Sequence, residues 1–306
     1  MNRVARTLKR RLSLDRRLSR LLPAGIHACW QHQLLIGRTP DLSRPETFNE
    51  KLLWLRLHWR DPDAIRCSDK LAVRAFVEER WGPSVLNQVL AVYHRAEEIC
   101  PEALPRAFAL KVTHASGANV ICRDRATLDW PRARKRLQKA LARDYYWENR
   151  EATYRHLPRR ILCERYLGNP RETPPDYKFY CFNGEPRVVH VDVDRFTDHR
   201  RAFFDLEWSP LDFTLRYPPP RQPVARPSLL EEMKACAARL SRGFPFVRVD
   251  LYQVEDRVVF GELTFCPGAG LSLFTPFSAD LALGRLLRLP GPVGEQLPAE
   301  TRRERG

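Results

Sequence analysis

Residues 246–271 read Phe-Val-Arg-Val-Asp-Leu-Tyr-Gln-Val-Glu-Asp-Arg-Val-Val-Phe-Gly-Glu-Leu-Thr-Phe-Cys-Pro-Gly-Ala-Gly-Leu. Two runs rich in β-branched and aromatic residues flank the polar stretch 253–257, which has the composition of a turn. This pattern predicts a β-hairpin with strands over 246–252 and 258–265. The Pro-Gly-Ala-Gly sequence at 267–270 predicts a turn that closes this part of the chain.

Alternation along the two strands predicts which side chains share a face of the sheet. On the first strand the polar set is Arg248, Asp250 and Tyr252, and the aliphatic set is Val247, Val249 and Leu251. On the second strand, alternation places Phe260, Glu262 and Thr264 on a common face. If the polar faces coincide, an arginine, two carboxylates and a hydroxyl meet on one patch of the sheet.

Two carboxylates on one patch repel each other, and burial strengthens the repulsion unless a cation lies between them. Oxygen ligands favour Mg²⁺, which usually takes further oxygens from a substrate phosphate. The alternative is a half-exposed hairpin whose carboxylates pair with Arg248 or with water. The hairpin by itself does not separate these two interpretations.

The composition is ordinary for a globular protein, and 306 residues suffice for one large domain or two to three subdomains. No run approaches the length of a membrane-spanning helix, and we see no signal peptide at the basic amino terminus. The eight cysteines are scattered, without a Cys-x-x-Cys pair, which predicts reduced thiols, a cytoplasmic location and no zinc site. The net charge of +15 indicates attraction to polyanions such as nucleic acid, anionic lipid or acidic polysaccharide.

Part of that charge is concentrated at the amino terminus, where residues 1–20 hold eight Lys or Arg and the single acid Asp15. Leucines from Leu8 to Leu22 lie among them at roughly helical spacing. The pattern predicts a basic amphipathic helix. Residues 1–22 would suit the anionic surface on the inner face of the membrane. The alternative is a solvated terminal helix. We expect residues 1–45 to form a helical extension and residues 291–306 to form a disordered tail.

Periodicity and cap signals predict the remaining elements. Helices are predicted from residue 46 to about 60, over 70–81 with Ser68 as N-cap, and over 130–147, 228–242 and 279–288. Strands are predicted over 85–93, 160–167 and the two ends of 108–122, with a hairpin over 176–193 that turns at Asn183-Gly184.

Lys111 lies inside an otherwise apolar strand, where a charged amine is costly unless it has an anionic partner. It is followed by a loop of small residues, 113–119, that includes Ser116 and Gly117. Small side chains leave backbone N–H groups free to approach phosphate oxygens. The pair of features therefore indicates a phosphate-binding loop.

Lys178 is a second strand lysine, and alternation places it on one face with Asp176. For both strand lysines the alternative is an edge position, where a lysine discourages aggregation.

The order of these features resembles the ATP-grasp superfamily. The features are Asp69-Lys70 opening a helix, Lys111 before its loop, Glu164 at a strand end, Asp176 and Lys178 in the next strand, then Arg248, Asp250, Glu262 and Pro267-Gly268. Within the superfamily, residues 48–51 (Phe-Asn-Glu-Lys), 176–179, 248–252 and 260–265 resemble the TupA-like branch. That branch is associated with teichuronopeptide and other surface-polysaccharide biosynthesis, and the resemblance covers roughly residues 46–290.

This resemblance implies an α+β, ATP-grasp fold in which two α+β subdomains clasp ATP. Residues 46–165 would form the N-terminal helices and the subdomain with the phosphate loop. Residues 166–290 would form the C-terminal subdomain with the Mg²⁺ site.

The resemblance also implies roles for individual residues. Lys70 and Lys111 would contact the phosphates beneath the loop that contains Ser116 and Gly117. The adenine and ribose side would be formed by Glu164, the hinge residues Arg165, Tyr166 and Leu167, and Asp176.

Asp250 and Glu262 would hold Mg²⁺, and Arg248 and Lys178 would be catalytic. Thr264 stands where the family usually has asparagine, and its hydroxyl is a weaker ligand than an amide oxygen. That difference leaves one or two metal ions as open alternatives.

The implied activity is an ATP- and Mg²⁺-dependent carboxylate–amine ligase that works through an acyl phosphate. Its substrate would be an acidic saccharide or an amino-acid-type small molecule in cell-envelope synthesis. One alternative is an ATP-dependent sugar or polysaccharide kinase or a glycosyl-modifying enzyme. Another is a basic module without turnover that binds anionic membrane or nucleic acid, although the basic stretches lack the interleaved aromatic residues that stack on bases.

Overall fold

The computed structural model describes residues 16–168, 174–194 and 197–291. Within them the chain forms a four-stranded sheet, a five-stranded sheet and a two-stranded ribbon, together with helices that pack on the two larger sheets. The α+β class predicted from the sequence is therefore confirmed. Most of the predicted basic helix and most of the polar tail lie in residues 1–15 and 292–306, outside the described residues.

The first half of the chain forms the smaller sheet and most of the helices. The helices are α1 (Arg16–Leu21), α2 (Ala24–Ile36), α3 (Phe48–His58), α4 (Pro62–Ser68), α5 (Val73–Arg80), α6 (Trp130–Leu141) and α7 (Tyr146–Asn149). The strands are β1 (Val89–Tyr93), β2 (Phe108–Val112), β3 (Val120–Cys122) and β4 (Ile161–Arg165). They pair antiparallel in the order β1-β4-β2-β3, and α6 packs on them through the buried Leu137.

The second half forms the larger sheet. Its strands are β5 (Asp176–Phe182), β6 (Glu185–Val193), β7 (Arg200–Phe204), β9 (Phe246–Val254) and β10 (Arg257–Thr264), in the antiparallel order β10-β9-β5-β6-β7. The ribbon pairs β8 (Thr214–Leu215) with β11 (Phe274–Thr275), and the helices are α8 (Leu230–Ser241) and α9 (Ser278–Leu286). Both predicted hairpins are present, and Asn183 and Gly184 have the positive φ angles of a tight hairpin turn.

One face of the larger sheet is covered by helices from both halves of the chain. Aliphatic residues of β9 and β10 pack there against α8, whose Met233 is fully buried. Cys67 of α4 and Phe76 of α5 belong to the same core. Helices α4 and α5, which the sequence groups with the N-terminal subdomain, thus pack on the sheet of the C-terminal one.

An apolar cluster covers one end of the other face of the larger sheet. Phe48 of α3 packs there against Phe182 and Phe246, and Leu283 of α9 joins the same cluster. Helix α3 begins at a capping box, in which Thr47 and Glu50 bond each other's backbone N–H groups. The remaining end of this face carries polar side chains and forms the floor of the candidate site.

Ser68 is predicted as a helix N-cap, and this prediction is wrong. Ser68 is the last residue of α4, and its hydroxyl donates to the carbonyl oxygen of Ala64 at 2.9 Å. Asp69 does the capping instead, because its Oδ1 accepts the N–H groups of Leu71 and Ala72 at 2.8 and 2.9 Å. The aspartate of the Asp69-Lys70 pair therefore fixes the local backbone.

All eight cysteines lie in the described part of the chain, and all are free thiols. Six are buried, Cys29 is half-buried and Cys100 is exposed. Among residues 16–168, 174–194 and 197–291, none of the helices has the length and apolar composition to cross a bilayer.

Candidate active site

A row of polar side chains crosses the larger sheet. Cross-strand partners lie on the same face, and the register pairs Glu262 with Asp250 and Asp250 with Lys178. Lys178 pairs in turn with His190 on β6. The next row along the strands consists of Tyr252, Asp176, Asp192 and Arg201.

The prediction that Phe260 shares this face with Glu262 and Thr264 is wrong. A bulge at Gly261 lets Phe260 pair with Leu251 while Glu262 pairs with the next residue, Asp250. The extra residue turns Phe260 into the apolar core and leaves Glu262 and Thr264 on the polar face. The hydrophobic side chain is thereby removed from the site.

Arg248 links the acidic residues of the hairpin. Its Nε and Nη2 donate to the two carboxylate oxygens of Asp250 at 2.6 and 2.7 Å. Nη2 also donates to Glu262 and to the Thr264 hydroxyl, each at 3.1 Å. The predicted repulsion between two facing carboxylates is therefore relieved by a guanidinium, the partner that the alternative interpretation named.

Burial and charged neighbours act in opposite directions on the hairpin side chains, and burial raises the pKa of Asp250. Burial opposes ionisation of Glu262, but Lys70, Arg248 and Lys178 outweigh it and lower the pKa of Glu262 to about 2. Burial likewise opposes the charge on Arg248, but Asp250 and Glu262 raise its pKa above the ordinary value. The Glu262 side chain keeps 38% of its surface exposed, whereas Asp250 is 2% exposed. Glu262 is thus the carboxylate that faces the open space.

Lys178 is 6% exposed and lies between two carboxylates. Its ammonium group donates to Asp250 Oδ2 at 2.7 Å and to Asp176 Oδ2. A buried ammonium group is stable only with such partners. This strand lysine therefore forms an ion pair with each of them.

Lys111 also has an anionic partner. Its ammonium group donates to Glu164 Oε2 at 2.7 Å, across the β2–β4 pairing. Arg74 of α5 donates to the other oxygen of Glu164 at 3.4 Å and to the carbonyl oxygen of Asn87 at 2.6 Å. Glu164 is 7% exposed, so this pair of cations fixes its carboxylate at the end of β4.

Lys70 connects the two groups of residues. Its Nζ donates to the carbonyl oxygen of Ala115 at 2.7 Å, and its backbone N–H donates to Thr113 at 3.1 Å, so Lys70 lies directly against the 113–119 loop. Burial lowers the pKa of Lys70, while Glu262, Asp69 and Glu164 act in the opposite direction. Lys70 is therefore within electrostatic range of both the hairpin acids and Glu164.

The remaining predicted residues lie at the loop and the hinge. Ser116 and Gly117 are exposed, and Gly117 has a φ of +82°, a conformation that glycine adopts without strain. In the hinge, the carbonyl oxygen of Arg165 accepts a bond from Asn87 at 2.8 Å. Tyr166 and Leu167 are half-buried and immediately follow β4.

The hairpin has oxygen donors that fit a magnesium ion. Glu262 uses Oε1 for its bonds to Arg248 and Thr264, its side chain is 38% exposed, and its second oxygen could bind a metal. Within the described ranges, no cluster of three or more His, Cys, Asp or Glu side chains could hold a metal. Two carboxylates and a hydroxyl suit Mg²⁺, which usually keeps waters and phosphate oxygens as its other ligands.

Two polar residues on α3, one of them in the 48–51 motif, hold the loop that follows the hairpin. Arg56 is 5% exposed, and its Nη1 donates to the carbonyl oxygen of Ala269 at 2.9 Å. Asn49 bonds the backbone of Ser272 in both directions, at 2.9 and 3.2 Å, and donates to Asp280 at 2.7 Å. The signal in the sequence is a polar residue inside an apolar helix, which also occurs at solvated positions.

A second buried polar cluster flanks Lys178 on β6 and β7. The carboxylate of Asp192 accepts from His190 at 3.0 Å, from His199 at 2.9 Å and from Arg201 at 2.8 and 3.2 Å. Burial, reinforced by Arg201, lowers the pKa of His190 well below its ordinary value. His190 and Asp192 therefore hold each other in place beside Lys178.

A sequence profile described as TupA-like ATPgrasp matches residues 50–288 of this chain. No curated protein sequence matches this chain.

Several solved structures are similar to the chain. One is the ATP-grasp ligase PsnB complexed with a minimal precursor, at 12% identity, with 67% of this chain and 54% of that chain covered and a TM-score of 0.39. Another is D-alanine–D-alanine ligase from Bacillus anthracis complexed with ATP, at 12% identity, 65% and 53% coverage and a TM-score of 0.36. A third is N5-carboxyaminoimidazole synthase from Aspergillus clavatus, at 14% identity, 66% and 46% coverage and a TM-score of 0.41. The chain spans about half the length of these solved structures.

Proposed function

The chain belongs to the TupA-like ATPgrasp family, and on this premise we propose that it is an ATP- and Mg²⁺-dependent ligase that joins a carboxylate to an amine. The observation that carries the proposal is the connected set of charges formed by Lys111, Lys70, Glu262, Arg248 and Lys178. Three lysines and an arginine are gathered there with the carboxylates that they pair with or lie near. Such a set suits a polyanionic phosphate chain together with a divalent cation.

In the proposed reaction, a substrate carboxylate attacks the γ-phosphorus of ATP, and the bond from that phosphorus to ADP breaks. The acyl phosphate is then attacked at its carbon by an amine, phosphate leaves, and the amine loses a proton. Both steps place negative charge on oxygen atoms that were neutral or less charged in the substrate. Groups fixed in advance to face that charge lower the barrier.

The residues of this chain would divide that work. Lys70 and Lys111 would neutralise the phosphates beneath the 113–119 loop, and Lys178 would contact the transferring phosphoryl group from the sheet. Arg248 would stabilise that group and then the tetrahedral intermediate. Its bonds to Asp250 and Glu262 hold the guanidinium in place before the reaction, so the side chain need not reorganise during it.

Glu262 and Asp250 would hold Mg²⁺, with Thr264 beside them. When bound, the ion would neutralise phosphate charge and orient the phosphate oxygens. On the adenine side, Glu164 and the backbone of residues 165–167 would border the base, and Asp176 would lie near the ribose.

The acceptor that we propose is an acidic saccharide or amino-acid-type molecule of the cell envelope. The net charge of +15 supports an anionic acceptor, because a positive surface raises the local concentration of anions. Residues 1–22 would place the enzyme at the inner membrane face. A rate that falls as salt concentration increases would support this class of acceptor.

The test is the melting temperature of the wild type and of Glu262→Gln, with and without Mg·ATP. At ligand concentrations about 100 times Kd, binding stabilises the folded state by about 2.7 kcal/mol, which is a shift of several degrees. We expect this shift in the wild type and its loss in Glu262→Gln. Glu185→Gln is the matched control, because Glu185 lies on the same sheet with its side chain 65% exposed.

An unchanged melting temperature of the wild type at millimolar Mg·ATP would contradict the proposal. If ATP binds, phosphate released into solution distinguishes a ligase from a kinase, which retains phosphate on its product.

A further inference from the structure

Lys178 is a buried cation beside the hairpin acid Asp250. Its ammonium group is buried, bonds Asp250 Oδ2 at 2.7 Å and also bonds Asp176. Arg248 donates to the same Asp250 oxygen at 2.7 Å and to Oδ1 at 2.6 Å. The Asp250 carboxylate therefore already accepts three charge-assisted bonds without any metal.

This arrangement sets Lys178 and a divalent cation in competition. A metal that binds Asp250 Oδ2 must share an oxygen that two cationic groups already occupy. Metal and ammonium on one carboxylate also repel each other strongly in a site of low solvent exposure. Glu262 alone is a single, partly exposed carboxylate, which is a weak site for Mg²⁺.

The two cations at Asp250 differ in how firmly they are held. Arg248 is anchored by two bonds to Asp250, one to Glu262 and one to Thr264, so its planar group is fixed on several sides. Lys178 carries a point charge on a flexible stem. The group that can leave Asp250 without dismantling the hairpin is therefore Lys178.

We propose that Lys178 is a resident cation that holds Asp250 in the nucleotide-free protein and gives way to the metal only when a nucleoside triphosphate draws its ammonium group toward the phosphates. Metal and nucleotide then bind with positive coupling, and each raises the affinity for the other. This inference rests on the proposed function, since it requires ATP and Mg²⁺ to share this site. Beyond the proposed function, it states that the metal alone binds weakly because Lys178 occupies Asp250.

The test measures Mn²⁺ binding without nucleotide, from the electron paramagnetic resonance signal of the free ion. We expect Lys178→Met to bind Mn²⁺ tighter than the wild type by about tenfold, within the usual range of couplings between two ligands. Lys111→Met is the matched control, because it also removes one positive charge from the cleft but its lysine bonds Glu164 and not Asp250. A general electrostatic effect would change both variants equally.

Lys178→Gln is a second variant, which tests the proposal even if Lys178→Met fails to fold. The amide removes the charge and keeps two N–H donors, on a side chain that is one bond shorter than lysine. We expect Mg²⁺ alone to raise the melting temperature of Lys178→Gln but not that of the wild type.

Mn²⁺ affinity of both Lys178 variants within about twofold of the wild type would overturn the inference, because the expected coupling is several times larger. The same result with a wild type that is stabilised by Mg·ATP would leave the ligase proposal standing. A wild type that ignores Mg·ATP would instead contradict the ligase proposal itself.

Discussion

Glu151 is a buried carboxyl group near the candidate site that lacks a direct ion pair among its described contacts. It is 8% exposed and lies beside the cavity that Arg56 and Cys266 also line. Burial raises the pKa of Glu151 to about 7, although Arg56 and a hydrogen bond from Asn149 act in the opposite direction. In the unfolded chain this carboxyl group titrates near its ordinary value of 4.5.

This shift predicts how stability depends on pH. Between pH 4.5 and 7 the folded state keeps the Glu151 proton that the unfolded state has lost. The stability that the protonated carboxyl group contributes is therefore fully present below pH 4.5 and is lost as the pH rises to 7. The loss amounts to about 3 kcal/mol. We expect Glu151→Gln, which is neutral at every pH, to be more stable than the wild type at pH 8 and similar to it at pH 4.5.

Urea denaturation of both proteins at the two pH values measures this difference. Parallel stability curves for Glu151→Gln and the wild type would show that the carboxyl group ionises in the folded state as easily as in the unfolded chain.

At the scale of elements, the position of Glu262 depends on the bulge in β10. A Cβ atom on Gly261 would lie 2.9 Å from Cε2 of Tyr252 and 3.0 Å from the carbonyl oxygen of Asp250. Both contacts are shorter than real Cβ atoms tolerate without movement of a neighbour. The glycine therefore permits the close approach of β9 that puts Glu262 beside Asp250.

We expect Gly261→Ala to lower the free energy of unfolding by about 1–3 kcal/mol through overpacking and to weaken stabilisation by Mg·ATP. Gly25→Ala is the control: its Cβ would meet nothing within 4 Å, and Gly25 lies in helix α2. Alanine there stabilises the helix by up to about 1 kcal/mol. Thermal melts with and without Mg·ATP compare the two variants, and an unaltered nucleotide response in Gly261→Ala would argue against a role of the bulge in placing Glu262.

The bulge also shows where sequence-based prediction ends. Strand patterns predict both hairpins and the need of Lys111 for an anionic partner, because these are local properties of a strand. It assigns Phe260 to the wrong face, because one extra residue reverses the order and a strand glycine only hints at it. The Ser68 prediction fails for a similar reason, since Asp69 offers an equally good cap one residue later.

Contacts between distant segments are not visible in local patterns at all. Arg56 and Ala269 are separated by 213 residues, and Asn49 and Asp280 by 231. The motif at 48–51 contributes to the family resemblance without revealing what its residues do. In the structure Lys51 bonds the carbonyl oxygens of Gly284 and Leu287 at the end of α9.

At the scale of the whole molecule, Asn49 joins three segments that form the wall behind the site. It is 1% exposed and connects α3 with the loop at Ser272 and with α9 at Asp280. The close packing of this region is also visible at Gly270, where a Cβ would lie 3.0 Å from the carbonyl oxygen of Asn49. Loss of the amide would leave the buried Asp280 carboxylate with fewer donors.

We expect Asn49→Ala to lower the free energy of unfolding by about 3 kcal/mol, because a buried charged group loses a hydrogen bond. Chemical denaturation measures this effect. Ser43→Ala, which removes an exposed hydrogen bond of 2.6 Å to Asp41, is the control and should cost less than about 0.5 kcal/mol. Equal costs in the two variants would mean that Asn49 does not hold the wall together.

The distribution of the cysteines gives the chain a natural point for chemical labelling. Burial raises the pKa of the Cys163, Cys181 and Cys236 thiols to about 12, so the reactive thiolate is scarce at those positions at neutral pH. Cys100 alone among the eight is exposed, and it lies beside the smaller sheet. A maleimide dye would thus attach there first, without any mutation, and its fluorescence anisotropy would follow the motion of that half of the molecule during catalysis.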